Sequence, residues 1–369
     1  MRYRRMPIEI ESPEQFGYDR IDCNLTESSV SDRVLGDLQL DLSRLLLCYG
    51  DHIGAPGLRA AIVEDEEGVS PDDVLVTTGA ATALFLIATA ILEPGDHILV
   101  ARTNYATNLE TPRAIGAVVD THELAFENGF QVDVDLLERQ LHPKTKLISL
   151  TCPHNPTGTM MSEATLRGVI DLCESRGIYL LFDETYREMS FRGRLPPAAA
   201  LSARAISVSS VSKTWGLPGL RIGWAITRDR AMFETLLAAK EQVIICNSVV
   251  DEAIAERFLR EKQTHLPRIR AHIQRNFGIV QQWMGNQTAL EWVEPSGGVV
   301  CFPRFRQDHP VDVDRFYRIL EDEHRTHVGP GHWFEVDRTS MRIGFGWPDA
   351  AQLANGLARI SDAAARARR

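Results

Sequence analysis

The chain has 369 residues, 44% of them hydrophobic, enough to bury a large core and to divide between two domains. Its 40 lysines and arginines against 50 acids leave a net charge of -10, which argues against nucleic acid or an anionic membrane as the main partner. The 6 cysteines are scattered with no Cys-x-x-Cys pair, so neither a zinc site nor a disulfide framework is expected, and a reducing cytoplasm fits. No apolar run approaches the length of a membrane helix, and residues 1–10 carry basic residues without a signal-peptide core, so a soluble, unexported protein is expected.

Residues 21–32 (IDCNLTESSVSD) are polar and turn-prone, the composition of an exposed capping loop. Tyr49 opens the run Tyr49-Gly-Asp-His-Ile-Gly54-Ala-Pro-Gly-Leu58-Arg59, which leads into a helical pattern; on chemistry alone it is equally a core tyrosine with a satisfied hydroxyl. From Asp73 onward strand and helix patterns alternate. Residues 74–77 read as a strand, 79–82 (Gly-Ala-Ala-Thr) as a tight turn and 83–92 as a buried helix. Small residues at a helix N-terminus let backbone N–H groups approach an anion, which makes Ala80 and Ala81 candidate phosphate donors, although small residues also serve close packing. Residues 97–101 form the next strand, and Tyr105 follows it.

Residues 147–151 are a buried strand running into Cys152-Pro-His-Asn155-Pro-Thr-Gly158. An asparagine fixed by the following proline at a strand end can donate its amide to a phenolate-like oxygen, or make an ordinary turn. A helix over 163–175 leads to strand 178–182, which ends in Asp183-Glu-Thr-Tyr186. An aspartate at the end of an apolar run is costly to bury without a cationic partner. The strand 205–208 precedes Ser210-Val-Ser-Lys213-Thr-Trp-Gly-Leu-Pro-Gly-Leu-Arg221-Ile-Gly223 and a second apolar run, 222–227. A lysine at a strand end inside a fold can have its pKa lowered enough to form a Schiff base; a fixed Arg221 can hold a phosphate, and Ser210 can add a hydroxyl. The alternation from 73 to 227 predicts a largely parallel sheet with its ligand at the strands' C-terminal ends.

Beyond Val249 a long helical stretch, with a break or kink expected at Pro267, leads to a C-terminal domain from about Phe277. Residues 295–305 read as a strand after a turn, 328–334 as a loop and 340–345 as a short strand carrying Arg342. The expected organisation is a segment 1–40 packing with the small domain, a large domain 41–276 and a small domain 277–369.

Ser210, Lys213, Gly216, Gly219, Arg221 and Gly223 resemble the lysine signature of the class I/II aminotransferases, fold-type I enzymes that carry pyridoxal 5'-phosphate, and Asn155-Pro-Thr-Gly158 resembles that family's second signature. The resemblance runs from Tyr49 to Gly344. It implies an α/β fold, a large domain with a mostly parallel sheet flanked by helices plus a smaller α+β C-terminal domain. It further implies a Schiff base on Lys213, which also serves as general base and acid, and an Asp183 paired with the pyridine nitrogen. Asn155 and Tyr186 would contact the 3'-oxygen, Tyr105 would stack on the ring, and Ala80, Ala81, Ser210 and Arg221 would hold the phosphate. Tyr49 would reach a partner's phosphate across a homodimer. Arg342, with Asn155, would bind the substrate carboxylate, and Glu27 and Ser28 lie in the segment that closes over the substrate. Where the family has a proline two residues before the stacking ring, this chain has Thr103. No metal is implied.

The implied activity is transamination of an L-α-amino acid. The variants at 216–224, 297–305 and 341–345 also look like those of capreomycidine synthase-type enzymes, which cyclise a hydroxylated arginine by elimination and readdition. A nicotinamide dehydrogenase would require Gly-x-Gly-x-x-Gly after an early strand, which Gly79-Ala-Ala-Thr82 lacks. A pyridoxal phosphate-binding transcription regulator would require an N-terminal DNA-binding domain, for which the residues before Tyr49 are too few.

Overall fold

The computed structural model describes residues 1–38 and 40–369. A short strand, β1 (Cys23–Leu25), precedes the main sheet, which is built from β2 (Val74–Thr77), β3 (His97–Arg102), β4 (Val118–Glu123), β5 (Thr145–Thr151), β6 (Tyr179–Asp183), β7 (Ala205–Ser210) and β8 (Gly223–Ile226). Their order is β2-β8-β7-β6-β5-β3-β4, with β8 antiparallel to both neighbours and the other pairs parallel.

The central strands read as unbroken apolar runs because helices cover both faces. Ile148, Leu150, Leu180 and Phe182 pack with Leu166, Val169 and Ile170 of the helix Glu163–Arg176. Their neighbours Leu147, Leu181, Ile206 and Val208 point the other way, toward Leu84 and Ile87 of the helix Gly79–Ile91 and Leu236 of the helix Arg230–Glu241. Parallel strands end on the same side, so Thr151, Asp183 and Ser210, the last residues of β5, β6 and β7, share one rim.

Local expectations fail where tertiary partners decide. The helix after β2 starts at Gly79, within the stretch that reads as a tight turn, with the glycine at φ +76 supplying the sharp entry from the strand. The long C-terminal helical stretch breaks at Glu261, between the helices Val249–Arg260 and Lys262–Gly285; Pro267 lies inside the second helix, near its start, and Phe277 lies within it too. Gly329 and Pro330, expected in a loop, belong to a strand because they pair with Arg342 and Met341 of the strand that follows. Residues 21–32 are not an exposed loop: they contain β1, and Thr26, Ser28 and Ser29 are buried.

The later strands are β9 (Leu290–Glu291), β10 (Val300–Cys301), β11 (Arg304–Phe305), β12 (Thr326–Pro330) and β13 (Met341–Gly344). A second sheet has the order β1-β12-β13-β10, so the N-terminal segment supplies an edge strand, parallel to β12, to a sheet of C-terminal residues. The helix Ala350–Arg366 covers it, burying Leu353, Leu357 and Ile360 with Leu25, Val328, Met341 and Ile343. Among the described residues no helix is long and apolar enough to cross a membrane.

The two ends of the β2-to-helix junction are fixed by β8. A Cβ on Gly223 would stand 2.4 Å from the backbone nitrogen of Ala80 and the carbonyl carbon of Gly79, neither of which can yield without moving the helix start. Gly223→Ala is therefore expected to destabilise the fold by at least about 1–3 kcal/mol and to lower the thermal unfolding midpoint by several degrees; an unchanged midpoint would contradict this packing.

Candidate active site

The shared rim of β5, β6 and β7 opens on a cavity of about 360 Å³. Every residue expected at the site from sequence lines it except Tyr49: Glu27, Ser28, Ala80, Ala81, Tyr105, Asn155, Asp183, Tyr186, Ser210, Lys213, Arg221 and Arg342. Tyr49 lies outside, 81% exposed, beside Leu46 and Leu47, which are 74% and 76% exposed.

Lys213 stands three residues past the end of β7, its carbonyl accepting the Val30 N–H at 3.1 Å. Burial holds its ammonium below the ordinary lysine range; Arg342 and Arg221 act in the same direction, Glu27 and Glu14 against it. The neutral, nucleophilic amine is thereby favoured. Asp183 is displaced the opposite way. Burial raises its pKa, and the N–H and hydroxyl of Thr185, donating to Oδ1 at 3.0 and 2.6 Å, offset this only in part. Among the described residues no cation pairs with it, so a protonated nitrogen in the cavity would relieve its burial.

A polar relay crosses the opposite wall. Arg342, on β13, donates through Nη1 to Asn155 Oδ1 at 3.0 Å and through Nη2 to the Thr26 carbonyl at 2.6 Å, while Asn155 Nδ2 donates to the Tyr186 hydroxyl at 3.3 Å. Burial pushes the Tyr186 hydroxyl up to about 12, opposed by a hydrogen bond with Ser28 and by the nearby Arg342. The Arg342 guanidinium sits 5.0 Å from the centre of the Phe334 ring and has no carboxylate within salt-bridge distance among the described residues.

At the other end lies a ready anion cradle. The helix Gly79–Ile91 begins with no side chain capping its first amides. Arg221 adopts a left-handed backbone conformation at φ +51, which turns its side chain back over that helix start: a Cβ on Gly79 would be 2.7 Å from Arg221 Nη2. A guanidinium held against the positive end of a helix dipole is unfavourable unless an anion lies between them. Ser210, buried beside the cradle, accepts the Ser212 N–H at 3.3 Å and leaves its own proton free to donate.

The N-terminal residues lining the cavity are absent from the motifs legible in the sequence. The short helices Pro7–Glu11 and Pro13–Phe16 bring Ile8, Glu9 and Glu14 to it, and the Glu11 carboxylate accepts from Trp333 Nε1 at 2.8 Å and bonds His332 Nε2 at 2.6 Å. Proline at the first helical position, with a glutamate next or two residues on, was the available signal. Thr151, Thr185, Asn104 and Ser212 also line the cavity. Glu27 Oε1 accepts from the Tyr18 hydroxyl at 3.2 Å and from Asn24 Nδ2 at 3.3 Å. Among the described residues neither Glu14 nor Glu27 has an arginine or lysine within salt-bridge distance.

The family model described as "Aminotransferase class I and II" matches residues 27–360. The chain is 30% identical over 359 residues to capreomycidine synthase of Streptomyces vinaceus, spanning 94% of this chain and 90% of that protein. A solved pyridoxal phosphate-dependent aminotransferase from Streptococcus suis is similar with a TM-score of 0.91 at 28% identity, over 100% of this chain and 99% of that one. The pyridoxal phosphate-dependent cyclase OrfR is similar with a TM-score of 0.88 at 28% identity, over 99% and 98%. The cofactor is accordingly pyridoxal 5'-phosphate. The chain's residues fit it: an anion cradle, a buried carboxylate without a cation and a lysine biased toward its neutral form stand in one cavity.

The charge on Asp183 gives a direct test. Burial places its folded-state pKa above the unfolded value, so ionisation costs stability; that cost is absent below the unfolded pKa of about 4 and complete above the folded one. The apoprotein of Asp183→Asn, whose amide oxygen can still accept from Thr185, should unfold at a higher temperature than the wild-type apoprotein at neutral pH, and the gap should close toward about pH 4. Added pyridoxal phosphate should raise the wild-type midpoint more than that of the variant. Scanning calorimetry checks both, and equal apoprotein midpoints at neutral pH would contradict the assignment.

Proposed function

Since the chain belongs to the class I and II aminotransferase family, we propose that it is a pyridoxal phosphate-dependent transaminase of an L-α-amino acid, with Lys213 holding the cofactor and moving the proton at the substrate's α-carbon. The observation that carries this reading is Arg342: 4% exposed, without a carboxylate among the described residues, and with one proton on each of Nη1 and Nη2 beyond those given to Asn155 and Thr26. A buried guanidinium with unused donors matches a carboxylate bidentately. It lines the same cavity as Lys213, as recognition of an α-amino acid requires.

When bound, the cofactor supplies an electron sink for the charge that develops at the α-carbon. The chain's own residues would do the rest. The uncapped amides of Ala80 and Ala81, with Ser210 and Arg221, would hold the phosphate. Asp183 would keep the ring nitrogen protonated, Asn155 and Tyr186 would bind the 3'-oxygen, and Tyr105 would cover a ring face. Lys213, whose pKa burial holds below the ordinary lysine range, would take the α-proton and return it. Ser28 and Glu27 would close the substrate side. The exposed apolar run of Leu46, Leu47 and Tyr49, with Val34 and Leu35 also exposed, supports a homodimer in which Tyr49 reaches the phosphate site of a second copy.

A second reading, a cyclase acting on a hydroxylated arginine, is favoured by Glu14 and Glu27, two cavity carboxylates without a cationic partner among the described residues, and by the coverage of the match to capreomycidine synthase. The two readings differ in what happens after the α-proton leaves: a transaminase releases a keto acid and needs an acceptor, whereas a cyclase needs a leaving group on the β-carbon and no acceptor.

Incubation with a panel of amino acids, including arginine and β-hydroxyarginine, separates them. The transaminase should release keto acid in an amount equal to the enzyme and continue only when an acceptor keto acid is added. Repeated turnover of β-hydroxyarginine without acceptor or keto acid would replace the first reading by the second. In either case Arg342→Ala should raise the substrate KM about tenfold or more while leaving cofactor occupancy near the wild-type level; an unchanged KM would remove Arg342 from the substrate site.

A further inference from the structure

A buried side chain joins two loops of the cavity rim. His154 stands in the loop after β5, next to Asn155, and is 4% exposed. Its Nε2 lies 2.8 Å from the Thr103 carbonyl oxygen and its Nδ1 2.8 Å from the Thr157 hydroxyl. A carbonyl only accepts, so Nε2 carries the proton and Nδ1 accepts from Thr157. Burial brings the His154 pKa down to about 4, although the Thr103 carbonyl acts the other way, so the ring is neutral near pH 7 and keeps both bonds. The turn beneath it is closed by its own backbone, the Gly158 N–H donating to the His154 carbonyl at 2.7 Å and the His154 N–H to the Thr159 carbonyl at 2.8 Å. The imidazole therefore projects from a fixed base.

Its Nε2 reaches the loop that carries Tyr105. Thr103 and Asn104, both buried, lead from β3 toward the helix Ala106–Ile115, and Tyr105 lines the cavity just before that helix. Asn104 braces this loop from within: its Oδ1 accepts the Tyr105 N–H at 2.7 Å and Asn108 Nδ2 at 2.8 Å, and its Nδ2 donates to the Ala101 carbonyl at 3.2 Å. The Thr103 carbonyl has no donor other than His154 among the described residues. Thr103 also lacks the ring with which a proline would fix φ at that point. The loop is braced in itself, and His154 sets it against the loop of Asn155.

We propose that His154 is a positioning residue for the cofactor: by holding the Thr103 carbonyl it sets where Tyr105 stands against the ring of bound pyridoxal 5'-phosphate. His154 does not itself line the cavity and acts through Tyr105. The inference rests on the reading of Tyr105 as the residue that covers a ring face. The bond to Thr157 is the dispensable one of the pair, because the Thr157 hydroxyl has a second partner in the Thr159 hydroxyl at 2.7 Å.

The test uses the full chain with two substitutions that separate these bonds. His154→Gln keeps a donor the same number of bonds from the backbone as Nε2, so it still reaches Thr103. His154→Asn keeps an acceptor in the place of Nδ1 and is too short for Thr103. Cofactor affinity is read by absorbance titration of the apoprotein with pyridoxal 5'-phosphate, and the seating of the ring by the visible circular dichroism of the bound form. His154→Asn should bind about three- to tenfold more weakly with altered circular dichroism. His154→Gln should stay within about twofold of wild type and keep the wild-type spectrum. In a Tyr105→Leu background, itself weakened, His154→Asn should add less than about twofold, because the residue it acts through is gone. Wild-type affinity in His154→Asn, equal impairment in His154→Gln, or an undiminished effect of His154→Asn on top of Tyr105→Leu would each overturn the proposal. If His154→Asn does not fold, His154→Leu replaces it, with the same expectations and the same overturning results. Wild-type affinity in Tyr105→Leu would remove Tyr105 from the ring face and the proposal with it. A wild-type protein that bound no pyridoxal 5'-phosphate would overturn the cofactor reading itself, an outcome distinct from failure at His154 alone.

Discussion

A buried carboxylate, a buried guanidinium and a lysine drawn below its usual pKa face one cavity, and the chain does not let them neutralise one another. Among the described residues the Asp183 carboxylate accepts hydrogen bonds from Thr185 alone, and Arg342 donates to the neutral oxygens of Asn155 and Thr26. Uncompensated charges in a low-dielectric interior cost several kcal/mol each. The apolar strands on either side, packed on both faces, are what allow the fold to carry that cost. A ligand that brings a phosphate, a protonated nitrogen and a carboxylate supplies the missing partners together.

The arrangement ties distant parts of the chain to each other. Arg342 reaches the cavity from β13, whose neighbour β12 is paired to β1, and its guanidinium ends on the carbonyl of Thr26, just past β1. A Cβ on Gly344 would lie 1.9 Å from the Glu27 carbonyl, so the segment that carries Glu27 and Ser28 is packed directly on the strand that carries Arg342. The N-terminal helices are fastened in turn through Glu11 to Trp333 and His332. The wall that carries Arg342 is therefore packed onto the first thirty or so residues, through contacts rather than through any one side chain.

What could be read from the sequence was the part in which local spacing and chemistry agree. Lys213, Asp183 and Asn155 stand at or just beyond ends of apolar runs, and a parallel sheet puts such ends on one rim; the strand pattern and the motif spacing point to the same cavity. What could not be read depended on partners distant in sequence. Gly329 and Pro330 look like a turn until β13 pairs with them. Residues 21–32 look like an exposed loop because their polarity is spent on internal bonds, such as Asn24 Oδ1 with Thr26, once β1 is buried. Pro267 announces a helix break, yet the chain turns at Glu261 and the proline is accommodated near the start of the next helix.

The most direct test of the cofactor's attachment is to find which lysine holds it. The candidates are Lys144, Lys146, Lys213, Lys240 and Lys262. Lys240 is a genuine rival on chemistry, because it is fully buried and burial brings its pKa down to about 8, but its Nζ donates to the His52 carbonyl and it does not line the cavity. Borohydride reduction of the holoprotein, followed by peptide mass spectrometry, fixes and locates the pyridoxyl group. One modified peptide is expected, containing Lys213. Label on Lys240 or on any other lysine in place of Lys213, or no label on a protein that contains the cofactor, would contradict the assignment of Lys213 as the residue that holds it.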